Sequence, residues 1–207
     1  IFFLIYGRII KPMNSNSDIR IKVETVSQNK NLKYKVYIIK SGRLYTDRIQ
    51  DTAIIIDRFI IDGPSFQYRN NNNSSINNNI VFQKGTPRKL RSLNGTVLSL
   101  LTGGAGNHNY WHWLYDVLPR LGLCDEIINL NDIDYFLLPS LSKKFQLETL
   151  NKLNISSDKL LSSEKYRHIK TNELIVTDHP VMISGNATKD IQNTPDWISL
   201  WLRNNFL

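Results

Sequence analysis

The chain of 207 residues is long enough for one sizeable domain or two small ones, and its 41% hydrophobic and 21% charged residues exclude a disordered polymer. A single cysteine, Cys124, excludes a framework of internal disulfides and is expected to be an inert core residue. The formal net charge of +8 predicts attraction to anions, whether nucleotide-sugars, nucleic acids or acidic membrane surfaces.

The chain begins with an apolar stretch at residues 1–7. About seven apolar residues are too few to cross a bilayer, which needs roughly 20. The stretch is either the tail of a cleaved signal or anchor, or a buried strand of a partial sequence. The second interpretation is favoured.

Residues 20–82 read mainly as β-strands. Residues 20–26 alternate apolar and polar side chains with period two, as half-buried strands do. The asparagine-dominated stretch 70–79 is predicted to be a loop, because asparagine favours turns. Further strands are predicted at residues 34–40, 44–45, 53–56, 59–62 and 80–83.

Four basic side chains follow these strands closely, namely Lys84, Arg88, Lys89 and Arg91. Such a run is usually a solvated face. The chain has neither zinc-finger spacing nor the alternation of aromatic and basic residues that single-strand binders use. We therefore expect no nucleic-acid partner.

From residue 95 the pattern changes to strands alternating with helices, which is typical of an α/β layer with a largely parallel sheet. Ligands of such sheets bind at the carboxyl ends of strands. The strand at 95–101 runs at that end into a glycine-rich loop, residues 103–106. Strands are also predicted at residues 135–139, 159–161 and 173–177, and helices at 143–153 and from 194 onwards.

The densest group of functional residue types follows the glycine-rich loop. If this segment is a helix, His108, His112 and Asp116 lie four residues apart on one face. Asn107 or Asn109 is a plausible N-cap of that helix. The sequence therefore predicts a polar stripe that faces solvent at the rim of the sheet.

His112 and Asp116 are the candidate catalytic pair. A carboxylate next to an imidazole can orient the ring and raise its basicity, and either group could be the base directly. The competing interpretation is a hydrogen-bonded core histidine with Asp116 as its partner. The other histidines, His168 and His179, are isolated in sequence, so nothing completes a zinc site around His112 and we expect no metal.

Four further residues are candidates for binding. Trp111 and Trp113 point to opposite sides of the segment, and one of them, with Trp113 as the candidate, could stack on a sugar face, although both are more often core residues. Arg120 could pair with a phosphate or with the carboxylate of the catalytic pair. Asn107 and Asn109 are candidates for positioning the loop or an acceptor hydroxyl. Pro119 should end or kink the helix, because its ring removes a hydrogen bond and crowds the preceding turn.

Residues 109–121 read N-Y-W-H-W-L-Y-D-V-L-P-R-L. This run resembles the signature N-Y-x-H-W-L-x-D-x-L-P-R-L of glycosyltransferase family 61, many of whose bacterial members are capsular polysaccharide biosynthesis proteins. A weaker resemblance continues through residues 45–66 and 135–180. The resemblance implies a two-domain GT-B enzyme that inverts configuration at a sugar carbon without a bound metal. Asp132 and Asp134 form a D-x-D pattern by which other glycosyltransferases hold a divalent ion, but here the apolar strand follows it, so a polar loop is predicted.

The expected fold is therefore α/β, with a β-rich segment at residues 1–95 and a GT-B-like, Rossmann-like acceptor-side domain at residues 96–207. The chain ends near where the family's second half begins, so the donor domain is expected to be missing and the isolated chain nearly inactive. The expected function is transfer of a sugar from a nucleotide-sugar donor to a surface or capsular polysaccharide acceptor, without a cofactor. It would take place in the cytoplasm at the inner face of the membrane, with peripheral membrane association. The alternative is a non-catalytic carbohydrate-binding or scaffolding domain of the same fold.

Overall fold

The computed structural model has a mixed α/β fold built on one large sheet, which confirms the predicted class. It describes residues 1–29, 32–48, 50–67, 75–101, 108–184 and 186–207. The strands are β1 (Lys11–Asn14), β2 (Ile21–Asn29), β3 (Leu32–Lys40), β4 (Arg43–Thr46), β5 (Asp51–Ile56), β6 (Phe59–Asp62), β7 (Phe66–Gln67), β8 (Arg91–Ser99), β9 (Tyr135–Leu138), β10 (Leu160–Ser162) and β11 (His168–Thr177). The α-helices are α1 (Phe2–Tyr6), α2 (Val81–Lys84), α3 (Tyr110–His112), α4 (Pro119–Asp125), α5 (Lys144–Lys152), α6 (Ala187–Gln192) and α7 (Asp196–Phe206).

Four parallel strands form one side of the sheet in the order β10, β9, β8, β11. From β8 the chain passes through α3 and α4 to β9, then through α5 to β10, and finally returns to β11 on the far side of β8. The order of strands thus reverses beside β8. A reversal of this kind leaves a crevice at the carboxyl ends of the strands, and ligands of α/β proteins bind there.

Strand β11 joins the parallel strands to the antiparallel ones. Its carboxyl half pairs with β3, with Thr177 opposite Val36, and its amino end pairs with β4, with His168 opposite Tyr45. The strands that come first in the chain continue the sheet from β3 and β4. The sheet is therefore continuous across residue 95, which lies inside β8.

Most of the predicted strands are confirmed, and the clearest cases follow from burial. The period-two stretches 20–26 and 34–40 form the β2–β3 hairpin, and the apolar run at 53–56 lies in β5, which is buried along its whole length. Residues 80–83 are an exception. Instead of a strand they contribute to α2, which ends at Gly85 with φ of 65°, because an apolar run this short fits either structure.

The loop that follows β11 is fixed by a buried contact between three elements. The hydroxyl of Tyr34 in β3 donates to the carbonyl of Pro180 (2.9 Å) and accepts from Nε1 of Trp197 in α7 (3.0 Å). Burial raises the pKa of Tyr34 to about 12, so this hydroxyl keeps its proton at neutral pH. The backbone next to His179 is thereby anchored.

Two expectations about individual features can also be compared with the structure. Cys124 is buried and unbridged, and burial raises the pKa of its thiol to about 12, which confirms it as an unreactive core residue. Among the helices of the described ranges, none has both the length and the apolar character that a bilayer crossing requires.

Candidate functional site

The segment with the candidate pair is helical, but its helix changes type along its length. Asn109 is the N-cap, and its side-chain oxygen accepts from the backbone N–H groups of Trp111 (2.9 Å) and His112 (3.3 Å). After α3, residues Trp113–Val117 form a π-helical turn, and α4 then begins at Pro119. Proline has no N–H to continue the α-helical pattern, and π turns of this kind are frequent at functional sites. The helix therefore changes type before Pro119 and continues from it as α4.

The candidate pair is joined by a short hydrogen bond. Nδ1 of His112 lies 2.6 Å from Oδ2 of Asp116. The His112 side chain is 20% exposed, whereas that of Asp116 is only 4% exposed. The expectation that both groups face solvent is therefore wrong for Asp116. The other carboxylate oxygen of Asp116 is buried and has no hydrogen-bond partner in the described part of the chain.

A second histidine approaches the same carboxylate from the loop after β11. Nε2 of His179 lies 3.9 Å from Oδ2 of Asp116. Nδ1 of His179 accepts from the backbone N–H groups of Val181 (3.2 Å) and Met182 (3.0 Å), which places the ring proton on Nε2. Burial lowers the pKa of His179 to about 4, so the ring is neutral at neutral pH. Asp116 thus lies between two imidazoles.

Sequence reasoning missed His179 because it considered the residue only as an isolated metal ligand. Its position offered a signal, since it lies two residues beyond the predicted strand 173–177. The carboxyl ends of parallel strands meet at one edge of a sheet. The sequence could therefore have predicted that His179 lies close to the carboxyl end of β8.

Arg120 supports the site from within the core and does not face a ligand. Its Nε donates to the backbone carbonyl of Asp116 (3.0 Å), and its Nη1 donates to the carbonyl and hydroxyl of Thr177 (3.2 and 3.0 Å). The residue is 4% exposed. Burial lowers its pKa to about 10, which still leaves it charged at neutral pH. The proposed phosphate contact is therefore corrected: Arg120 ties the π turn to β11.

Trp113 does not offer a face to a sugar. Its side chain is fully buried in the core, and its Nε1 donates to Oγ1 of Thr149 in α5 (2.9 Å). The expected stacking role is therefore wrong for this residue. The ring of Trp111 borders the candidate pair: it meets His112 edge-on at 5.1 Å and stacks on Tyr115 at 5.0 Å.

The remaining candidates occupy the exposed margin of the site. Asn109 uses its side-chain oxygen for capping. His108 precedes the helix and therefore does not share a helical stripe with His112; its Nδ1 lies 3.4 Å from the hydroxyl of Ser142. Asn107 and the glycine-rich loop lie outside the described residues.

The electrostatics and position of the site fit acid–base chemistry on a bound ligand. A partly exposed imidazole is held by a buried carboxylate, and Arg120 supplies a buried positive charge next to that carboxylate. Arg120 joins Asp116 to Thr177 at the carboxyl end of β11, and β8 ends beside this strand, with Leu98 opposite Ile175. Within the described ranges, no three histidine, cysteine, aspartate or glutamate side chains are grouped so that they could hold a metal ion.

Comparison with known proteins adds no assignment. Neither a family model, nor a curated protein, nor a solved structure matches the chain.

Proposed function

We propose that this chain is the acceptor-side, Rossmann-like part of a GT-B glycosyltransferase similar to family 61. It would transfer a sugar, with inversion and without a metal, from a nucleotide-sugar to a surface or capsular polysaccharide. The observation that carries the proposal is the 2.6 Å contact between Nδ1 of His112 and Oδ2 of Asp116, which Arg120 links to the carboxyl end of β11. The strand order β10, β9, β8, β11 supports the Rossmann-like part of the proposal.

In this proposal His112 is the base and Asp116 positions it. Because Asp116 is buried and holds Nδ1, the nitrogen of His112 left for an acceptor hydroxyl is Nε2. The hydroxyl proton moves to Nε2 as the hydroxyl oxygen bonds to the sugar carbon, and the nucleotide leaves from the opposite face with the bonding electron pair. The negative carboxylate stabilises the imidazolium that forms.

His179 and Arg120 keep the carboxylate in place for this step. The neutral ring of His179 has its proton on Nε2, and this nitrogen lies 3.9 Å from Oδ2 of Asp116. Arg120 fixes the backbone carbonyl of the same aspartate to the end of β11. Supporting groups of this kind improve the alignment of a base and do not themselves touch the substrate.

The aromatic surface for an acceptor sugar would be supplied by Tyr110 and Trp111. Tyr110 is 54% exposed and is held edge-on against Phe145 at 4.9 Å. Trp111 borders His112 directly. Exposed aromatic rings next to a base can bind the apolar face of a sugar while leaving its hydroxyls to the base.

The test is a transfer assay on the full-length protein that the gene encodes, with a panel of nucleotide-sugars and readouts of nucleotide release and sugar transfer. Asp116→Asn and His112→Gln are each expected to lower turnover by about 10²- to 10⁴-fold, as loss of general-base catalysis does. Asp132→Asn is the matched control, because Asp132 is exposed in a turn away from the pair and its amide should leave turnover unchanged.

Two results would contradict the proposal. Normal turnover in Asp116→Asn would remove the pair from the mechanism. Oligosaccharide binding by a wild-type protein that transfers no sugar and releases no nucleotide would favour the non-catalytic carbohydrate-binding alternative. We also propose that the enzyme acts in the cytoplasm, at the inner face of the membrane.

A further inference from the structure

The first helix exposes apolar side chains to solvent. In α1 and just before it, Ile1 is 87% exposed, Leu4 90% and Ile5 61%, and Ile10 further along is 52% exposed. Single exposed apolar side chains are normal on protein surfaces, but a contiguous group of them marks a contact surface. The backbone N–H groups of Leu4 and Ile5 bond to the carbonyl of Ile1, which brings these three residues into one turn of helix, called the apolar tip below.

The apolar tip is held in position by contacts on the inner side of α1. The ring of Phe3 lies so close to Gly85 that a Cβ on that glycine would be 2.9 Å from it. The hydroxyl of Tyr6 accepts from the backbone N–H of Leu90 (3.0 Å), and its ring meets His168 edge-on at 4.9 Å. A helix that is apolar on both its inner and its outer side is typical of burial on both sides.

Basic side chains lie on the chain segments that adjoin α1. Arg8 lies over the ring of Phe3 at 5.9 Å. Lys84, Arg88 and Lys89 are exposed on the segment on which α1 rests. None of these three side chains makes a hydrogen bond or ion pair within the described ranges. The four residues are called the basic rim.

Two acidic residues near this surface in the chain, Asp18 and Asp57, are both paired with Arg20 and do not neutralise the basic rim. Asp57 precedes Arg58, whose Nε donates to the backbone carbonyl of Arg8 (3.0 Å). The carboxylate of Asp57 is itself paired with Arg20 at 2.7 Å. The rim therefore keeps its positive charge.

We propose that the apolar tip and the basic rim together dock this protein onto the surface of an anionic lipid bilayer. The apolar side chains enter the boundary between headgroups and acyl chains, and the basic side chains contact the negative headgroups. The contact is peripheral. It does not depend on the chemistry proposed for His112 and Asp116.

Charge favours a lipid surface over a second copy of the chain. Each chain carries a net charge of +8, and a symmetric contact through the tip would bring two basic rims together. Like charges that face one another across an interface oppose association. A negative membrane instead attracts the rim from a distance of about a Debye length.

The test is cosedimentation of the purified protein with vesicles of phosphatidylcholine alone or mixed with phosphatidylglycerol. Binding is expected to the anionic vesicles only, and to weaken as salt is raised. The double variant Leu4→Asp with Ile5→Asp is expected to weaken binding at least about tenfold. Ile19→Asp is the matched control, because Ile19 is fully exposed on a different turn and its replacement should leave binding unchanged.

A charge variant tests the rim separately. Lys84→Glu with Lys89→Glu is expected to lower affinity for anionic vesicles at least about tenfold, whereas Lys144→Glu, which replaces an exposed lysine of α5, should not. All the replaced side chains are exposed, so circular dichroism should show unchanged folding.

The proposal is overturned if the wild-type protein ignores anionic vesicles, binds neutral vesicles equally well, or binds normally after the Leu4 and Ile5 replacements. It is also overturned if light scattering finds a dimer that these replacements dissociate while no vesicle binding occurs, since the tip would then be a contact between copies of the chain.

Discussion

Similar polar side chains are buried at both ends of β11, but their hydrogen bonding differs between the two ends. Toward the carboxyl end, the hydroxyl of Thr177 accepts from Arg120 (3.0 Å) and donates to the carbonyl of Asp178 (2.9 Å). Toward the amino end, the hydroxyl of Thr171 and the Nε and Nη2 atoms of Arg43 are buried without a hydrogen-bond partner among the residues that the structure describes. The connected end is the one that carries the candidate site.

This difference indicates what each end contributes. A polar network joined by hydrogen bonds in a low-dielectric interior holds its members in one geometry, which a base and its carboxylate require; at this end one oxygen of Asp116 is the exception among the described residues. Buried polar atoms that lack partners lower stability without fixing a geometry. We therefore expect the same substitution to have opposite or unequal effects at the two ends.

The largest expected difference in the free energy of unfolding is between the variants Arg120→Met and Arg43→Met. Arg120→Met should lower the free energy of unfolding by about 3 to 5 kcal/mol, because it leaves the carbonyls that Arg120 bonds unpaired and Asp116 buried without a nearby cation. Arg43→Met should cost less than about 1 kcal/mol, because Arg43 makes one long bond, from Nη1 to the carbonyl of Tyr6 (3.3 Å). Urea denaturation followed by tryptophan fluorescence measures both. Equal losses would contradict the comparison.

Acid should destabilise the protein through a histidine at each end. Burial lowers the pKa of both His179 and His168 to about 4, below the ordinary value near 6.5. Between these pH values the unfolded chain binds protons that the folded chain does not, so stability is complete above pH 6.5 and falls toward pH 4. Each histidine should account for about 3 kcal/mol of this loss.

The measurement is the free energy of unfolding across that pH range in the wild type and in His179→Gln. In His179→Gln, the number of protons taken up on unfolding should be lower by about one. The pH dependence that remains should be the part due to His168. A wild-type stability that does not change between pH 6.5 and 4 would show that these rings are not buried and neutral.

The smallest expected effect has opposite signs at the two ends. Thr171→Val should stabilise the fold by about 1 kcal/mol, because it removes a buried hydroxyl without a partner and keeps the shape of the side chain. Thr177→Val should destabilise it by about 1 to 2 kcal/mol, because Arg120 loses an acceptor. Thermal unfolding of the two variants side by side tests this. Destabilisation by both would mean that Thr171 has a role in the sheet beyond filling space.

The fold class and most strands could be predicted because they depend on local pattern. The alternation at 20–26 and the apolar run at 53–56 each determine which faces of a strand are buried. The continuity of the sheet could not be predicted, because β11 pairs with β3 and β4 from more than a hundred residues earlier in the chain. A local sequence pattern gives no information about pairing between strands so far apart in the chain.

The candidate site divides in the same way. The contact between His112 and Asp116 was predictable from their spacing of four residues, and Asn109 from the chemistry of helix capping. The burial of Trp113 depends on Thr149, 36 residues away, and that of Arg120 on Thr177, 57 residues away. Distant partners decided whether these polar groups face a ligand or the core.

The central claim is that the carboxylate of Asp116 fixes the orientation of His112 so that Nε2 is free. Nitrogen-15 NMR of the histidine rings, at a pH where imidazoles are neutral, tests it directly. The account predicts opposite tautomers, with the proton of His112 on Nδ1 and that of His179 on Nε2. A His112 ring that carries its proton on Nε2, or that exchanges freely between tautomers as an unconstrained imidazole does, would contradict it.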